Sequence, residues 1–182
     1  MLGATAWQDD FSTMLQLCSE GANVAYILGD IGEMKVLIDL VLSWGSIPLH
    51  AKFRLYEVKI LALRSTNEFE ESIKLCTNIR QQLGLYTPPN KPASKYQLLK
   101  EYSKTLRALK NKSAKDVASL PRLTDERIIF GNRILELMSL SAEVVQPSIV
   151  PLISFILIQT SLKYGVNASM SYAFASFGLV QW

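Results

Sequence analysis

The side chains equipped for chemistry are few and badly spaced for it. His50 is the only histidine among the 182 residues. Acyl transfer through a Ser-His-Asp/Glu set would have to run through it, at a helix start behind Pro48 and Leu49. A histidine in such a place is far more often structural or solvated than catalytic. The carboxylate pairs Asp9/Asp10 and Glu70/Glu71 are consecutive. Neighbours of that kind point to different sides of a helix or cap and cannot flank one bond. A zinc centre needs four spaced ligands, which one histidine and two distant cysteines do not supply. No GxxxxGK[ST] phosphate loop, GxSxG elbow, HExxH pair or GxGxxG turn occurs. These residues point to no catalytic site, no metal and no cofactor.

Cys18 and Cys76 lie far apart in apolar, helix-like surroundings. A disulfide framework in a small secreted chain would use more cysteines, so both are expected as buried free thiols. The one electrostatic anomaly is local. Residues 91–122 hold nine Lys or Arg against Glu101 and Asp116, a balance of +7 in a chain of net charge +3, which leaves −4 elsewhere. Within that stretch Lys100, Lys104 and Arg107 recur at steps of four and three and share one helix face. Such a face suits an acidic protein surface, nucleic acid or anionic lipid, although a merely solvated face is commoner. Nucleic-acid binding usually interleaves aromatics with the cations, whereas Tyr96 and Tyr102 read as shared with the core.

The elements that must position these residues announce themselves by their ends. A first helix spans about 10–28 and stops at Gly29. Asp30 with Glu33 has capping-box spacing. It precedes a stripe of Met34, Leu37, Ile38, Val41 and Leu42, with Gly45 as the stop. Behind Pro48 a third helix carries two apolar stripes, Ala51, Leu55, Val58, Ala62 and Phe53, Tyr56, Ile60, Leu63, so it needs neighbours on both sides. Asn67 with Glu70 repeats the cap spacing ahead of Phe69, Ile73, Cys76 and Leu83, and Gly84 ends that helix. "GDIGEMKVL" and "NEFEESIKL" align at an offset of 38 residues, a period typical of helical repeats.

"LGLYTPPNKPAS" then breaks the pattern, because Pro88, Pro89 and Pro92 forbid helix. Ser94 with Gln97 caps a fifth helix whose stripe is Leu99, Tyr102, Leu106 and Leu109. A short turn over 115–119 follows, and Thr124 or Asp125 opens a sixth helix to about 145. A seventh begins near Pro147 and ends at Gly165, and Asn167 caps an eighth, rich in Ala and Ser.

Trp7, Trp44, Trp182 and the Phe174/Phe177 pair read as packing residues. Solenoid ends carry a polar capping helix, and the last helix here is apolar. The chain is therefore expected to be a piece of a longer array, or a chain with a missing partner. The faces around Phe174, Phe177 and Trp182 are expected to be exposed and to drive self-association.

The opening "MLGATAWQDDF" lacks the basic and apolar regions of a signal peptide. "IVPLISFILI", the longest apolar run, is ten residues interrupted by Pro151 and Ser154, half of what a membrane span requires. It reads as a fully buried helix, and the chain as a cytoplasmic protein with no transmembrane segment. The sequons "NKS" at Asn111 and "NAS" at Asn167 then have no route to glycosylation.

In order along the chain, "YILGDIGEM", "NEFEESIKLCTNIRQQLGLYTPPNKPASKYQLLKEYSKTLRAL", "LPRLTDERIIFGNRIL" and "SLKYGVNASMSYAFASFGLV" resemble the tetratricopeptide-like helical-repeat segment of very large multidomain signalling proteins. Those proteins join a serine/threonine kinase-like domain, an AAA-type ATPase domain, the helical array and often a GAF domain with a histidine kinase. The resemblance covers nearly the whole chain. It implies a scaffold or sensor array with the kinase- and ATPase-like domains as neighbours, and it carries over no catalytic residue, since those belong to the other domains.

The resulting expectation is an all-α fold: about eight helices stacked as antiparallel pairs in a right-handed, TPR-like α-solenoid. Residues 1–84 form helix pairs, 85–93 a Pro-rich linker, and 94–182 a further helical segment continuous with the first. The function expected is a non-catalytic scaffold for protein–protein or interdomain interaction. The alternative is a basic module binding nucleic acid or anionic membrane through Lys100, Lys104 and Arg107.

Overall fold

The computed structural model describes residues 10–43, 47, 49–89 and 91–180. Among these the chain is all-helical, with nine α-helices, two 3-10 turns and no strand. The helices are α1 (Phe11–Leu28), α2 (Ile31–Leu42), α3 (Phe53–Ser65), α4 (Phe69–Gln82) and α5 (Lys95–Leu109). They continue with α6 (Ala114–Ala118), α7 (Glu126–Val145), α8 (Val150–Tyr164) and α9 (Ser169–Val180). Residues Met1–Asn67 and Glu68–Trp182 form two compact units. The division falls upstream of the Pro-rich stretch 85–93 that sequence reading marks as a linker.

The first unit is organised by its caps. Asp10 accepts a hydrogen bond from the Thr13 N–H at 3.1 Å and Asp30 one from the Glu33 N–H at 3.0 Å. Each satisfies an amide that the first helical turn leaves without a partner. Between these helices Gly29 takes φ 80, which L side chains rarely adopt. There the Gly29 and Asp30 amides close back on Tyr26 and Ala25. Met14, Cys18, Ala22 and Ala25 of α1 meet Met34, Ile38 and Val41 of α2 and Leu55, Val58 and Ala62 of α3 in one core. The position 38 residues after Gly29 is Asn67, and it too is left-handed, with φ 62. Asn67 is therefore a turn residue rather than the expected cap. Glu68 takes the cap position with no side-chain cap bond, and Asn is among the residues that enter this conformation most readily.

In the second unit α4 packs chiefly on α7, and α5 on α8. The helices here do not pair strictly in chain order. Ser72 and Ser141, both fully buried, share a hydroxyl hydrogen bond of 2.9 Å between α4 and α7. At the other end of α4, Arg80 donates to the Gly131 carbonyl. Early residues of one helix thus meet late residues of the other, so this pair runs in opposite directions. Gly131 permits the approach: a Cβ there would lie 3.2 Å from Arg80 Nη1 and closer still to Leu85.

Arg80 also donates to the Tyr86 carbonyl, and Ala93 N–H donates to Ser148 Oγ at 3.1 Å. The Pro-rich stretch is thereby fastened at both ends to the second unit. Burial pulls the Arg80 guanidinium down to about 10, because taking a cation out of water disfavours its charged form. At the centre, Leu152, Ile153, Ser154, Phe155, Ile156, Leu157 and Ile158 of α8 are all buried, as expected of a run that is apolar on every side. Among the described residues no helix is long and apolar enough to cross a membrane. Cys18 and Cys76 are both buried and form no disulfide, as expected.

Candidate interaction site

Helix α5 starts from a complete capping box. Ser94 Oγ accepts from the Gln97 N–H at 3.2 Å, and Gln97 Oε1 accepts from the Ser94 N–H at 3.1 Å. The inward face is Leu98, Tyr102, Thr105 and Leu109, not the expected stripe of Leu99, Tyr102, Leu106 and Leu109. Leu99 is 63% exposed and Leu106 40% exposed, while Thr105 is fully buried. A polar clamp sets this rotation. Gln159 of α8 donates to Thr105 Oγ1 at 2.9 Å and to Glu101 at 3.1 Å. Turning Leu99 inward would remove these partners from buried groups.

Lys100, Lys104 and Arg107 all lie on the exposed side of α5, at the spacing that gives them one face. Lys104 sits 3.6 Å from Glu101, and Arg107 Nε donates to the Ser103 carbonyl at 3.2 Å. Beside them are Leu99, Leu106 and Tyr96, the last 76% exposed. Tyr96 is thus not shared with the core. The outer face of α5 combines cations with large apolar groups.

At the end of α5 the chain turns at Asn111, φ 67, into a second capping box. Ser113 Oγ accepts from the Asp116 N–H at 3.2 Å, and Asp116 accepts from the Ser113 N–H and hydroxyl, both at 2.7 Å. These bonds from Ser113 hold the Asp116 carboxyl below its usual range. Facing this turn are two motifs that are distant in sequence, "LPRLTD" and "YGVNAS". They meet as an isolated bridge in which Leu123 N–H donates to Val166 O at 2.9 Å and Val166 N–H to Pro121 O at 2.8 Å. Gly165, φ 111 and ψ 174, makes that closeness possible, since a Cβ would sit 3.1 Å from Leu123 N and nearer still to Pro121 O.

Between these walls lies a cleft of about 660 Å³. Leu109, Val117, Val166, Met170 and Phe174 supply its apolar surface, and Lys112, Ser113, Asn167 and Ser171 its polar edge. Phe174 is half-buried against it. Phe177 corrects the expectation of an exposed patch: it is only 6% exposed, packed 5.9 Å from Phe155 and 6.0 Å from Tyr102 between ring centroids. Such tilted and edge-on arrangements favour mutual packing over exposure. Trp182, like Trp7 and Trp44, lies outside the described residues.

No family model matches the chain, and no curated protein or solved structure matches it.

The residues first suspected of chemistry are scattered. Asp10 is a helix cap, and Asp9 is outside the described set. Glu70 and Glu71 are exposed on α4, with Glu71 2.6 Å from Lys74. The backbone of His50 lies in the 3-10 turn Leu49–Lys52, and its side chain is outside the described set. Among the described residues no cluster of three or more His, Cys, Asp or Glu is placed to hold a metal. The cleft itself escapes a reading of the sequence by motif. One signal for it was legible, the Ser113-to-Asp116 spacing of a capping box, which fixes the turn forming one wall.

Proposed function

We propose that this chain is a non-catalytic helical-repeat scaffold that mediates protein–protein or interdomain contacts. In this reading it is a cytoplasmic, TPR-like segment beside kinase- and ATPase-like domains of a larger signalling protein. Two features support the repeat. Gly29 and Asn67 are both left-handed at the 38-residue offset, and Ile31 and Phe69 each open the following helix. Helices α5 and α6 then read as an insertion into the array, which accounts for α4 packing on α7. The observation that carries the interaction reading is the outer face of α5. Tyr96, Leu99 and Leu106 stand in water there, and grouped exposed apolar side chains mark contact surfaces.

The test places a photo-crosslinking amino acid at position 99 or 106 of the chain in its native cell. Discrete protein adducts that vanish when Lys100, Lys104 and Arg107 are reversed to Glu are the expected result. Adducts that are absent, or unchanged by the reversal, overturn it.

A second reading draws on Tyr96, an exposed aromatic beside those cations: binding of nucleic acid or anionic membrane. Its mark is a steep fall of affinity for single-stranded oligonucleotide or anionic vesicles with rising salt.

A further inference from the structure

We infer that the cleft between the end of α5, α6 and the start of α9 is a binding site for an acidic peptide, which seats a large apolar side chain against Phe174 and Met170. The inference rests on the scaffold reading and names the chemistry of one partner. Three observations carry it. The volume, about 660 Å³, falls in the range of ligand clefts, and its floor of Leu109, Val117, Val166, Met170 and Phe174 is apolar.

The walls are held in place before any ligand arrives. The Ser113–Asp116 box fixes one and the Leu123–Val166 bridge the other, and preorganisation of this kind lowers the cost of binding.

The charge at the rim is mainly positive. Lys112 lines the cleft; Lys110, Lys115 and Arg122 are exposed within a few residues of it. The α9 wall, residues 166–180, contains no charged residue. Asp116, exposed on the same turn, keeps its charge, since Ser113 engages it through neutral hydrogen bonds, and it offsets one of these four cations. A ligand with carboxylates around an apolar anchor therefore meets complementary potential on entry. Exposed Leu106, one turn before Leu109, extends the apolar surface along α5. That favours an extended peptide over a compact small molecule. Single-stranded nucleic acid is the lesser fit, since base stacking wants open aromatic faces and Phe174 is half-buried.

The test uses the full chain with carbon-13-labelled methionine methyl groups and three probes: the peptide EDEDLFEDED, its counterpart with every acidic residue replaced by Lys, and a ten-nucleotide thymidine oligomer. The expected result is a saturable shift of the Met170 methyl with the acidic peptide alone. Met14, Met34 and Met138, all buried elsewhere, should stay fixed and report an intact fold. Phe174→Ala should weaken binding about tenfold, a loss of about 1.4 kcal/mol. Lys112→Glu, a rim change that leaves the core untouched, should do the same. An unmoved Met170, or equal shifts with the lysine peptide or the oligonucleotide, overturns the inference. Failure here while crosslinks at positions 99 and 106 persist removes the cleft and leaves the scaffold; loss of both removes the scaffold as well.

Discussion

Gly165→Ala should be the most damaging small substitution in the second unit. The backbone at Gly165, φ 111 and ψ 174, lies in a region that only glycine populates freely, and forcing an L residue into it costs about 1–3 kcal/mol. The added Cβ would also press on backbone: Pro121 O, Leu123 N and Arg122 C all lie within 3.2 Å of it. Backbone cannot swing aside as a side chain can, so relief requires parting the bridge. Its two hydrogen bonds contribute about 1 kcal/mol each, which brings the total to about 3–5 kcal/mol. Because the chain forms two compact units, a single global midpoint would mix their unfolding. The readout should therefore be local: amide hydrogen exchange at Leu123 and Val166. At 1.4 kcal/mol per tenfold, both amides should exchange about a hundredfold faster or more. The variant should also lose the Met170 response to the acidic peptide, since Val166 and Asn167 line the cleft. Rates at these amides within about threefold of the parent would refute the argument that the bridge depends on a missing side chain.

Two other outcomes follow from the same geometry. Gly131→Ala and Gly178→Ala place the same methyl in helices of one unit. At 131 it meets Arg80 and Leu85, whereas at 178 nothing among the described residues lies within 4 Å. Both gain about 1 kcal/mol of helix propensity, but only Gly131→Ala bears an overpacking cost of about 1–3 kcal/mol. Hydrogen exchange of the slowest amides of the second unit should separate the two by that amount, with Gly178→Ala the better protected; equal rates would contradict the close approach of α4 and α7. In acid, Asp10 and Asp116 are the groups to watch. Thr13 and Ser113 hold these carboxyls below the ordinary 3.8, so their contribution to stability is present above 3.8 and is lost as pH falls through the lowered values. Corrected exchange at the Thr13 and Ser113 amides should rise as pH drops through that window, and Asp10→Asn with Asp116→Asn should flatten the profile. A profile unchanged by these variants would mean that the side chains do not cap.

Much of the fold was legible where the cause is local. Asp10, Asp30, Ser94 and Asp125 all cap helices, and Gly29 and Gly84 both end them in left-handed turns. Each signal lies within about four residues of the amide or carbonyl it satisfies, so one sequence suffices to read it. The choice of packing partner is different. α4 finds α7 through Ser72, Ser141 and Gly131, small residues that carry no hydrophobic signal and register only when two backbones come close. A period of apolar residues says which face is buried, not against what.

The face of α5 shows how even the period can mislead. Leu99, Tyr102, Leu106, Leu109 and Leu98, Tyr102, Thr105, Leu109 are both helical stripes, and they share two members. Hydrophobicity favours the first; the structure takes the second, because Gln159 offers Thr105 and Glu101 hydrogen bonds that exist in only one rotation of the helix. The leucines displaced by that choice, Leu99 and Leu106, are left outside beside Lys100, Lys104 and Arg107. Burying a hydrogen-bonded threonine in place of a leucine forgoes about 1.5–3 kcal/mol of apolar burial, which the clamp offsets within the chain. Replacing Gln159 with Leu removes the clamp. If the outward leucines serve a partner rather than the fold, Gln159→Leu should let α5 turn, hide Leu99 and Leu106, and abolish crosslinking from position 99 while leaving helix content unchanged. Crosslinking that survives the substitution would show that the clamp does not set the face.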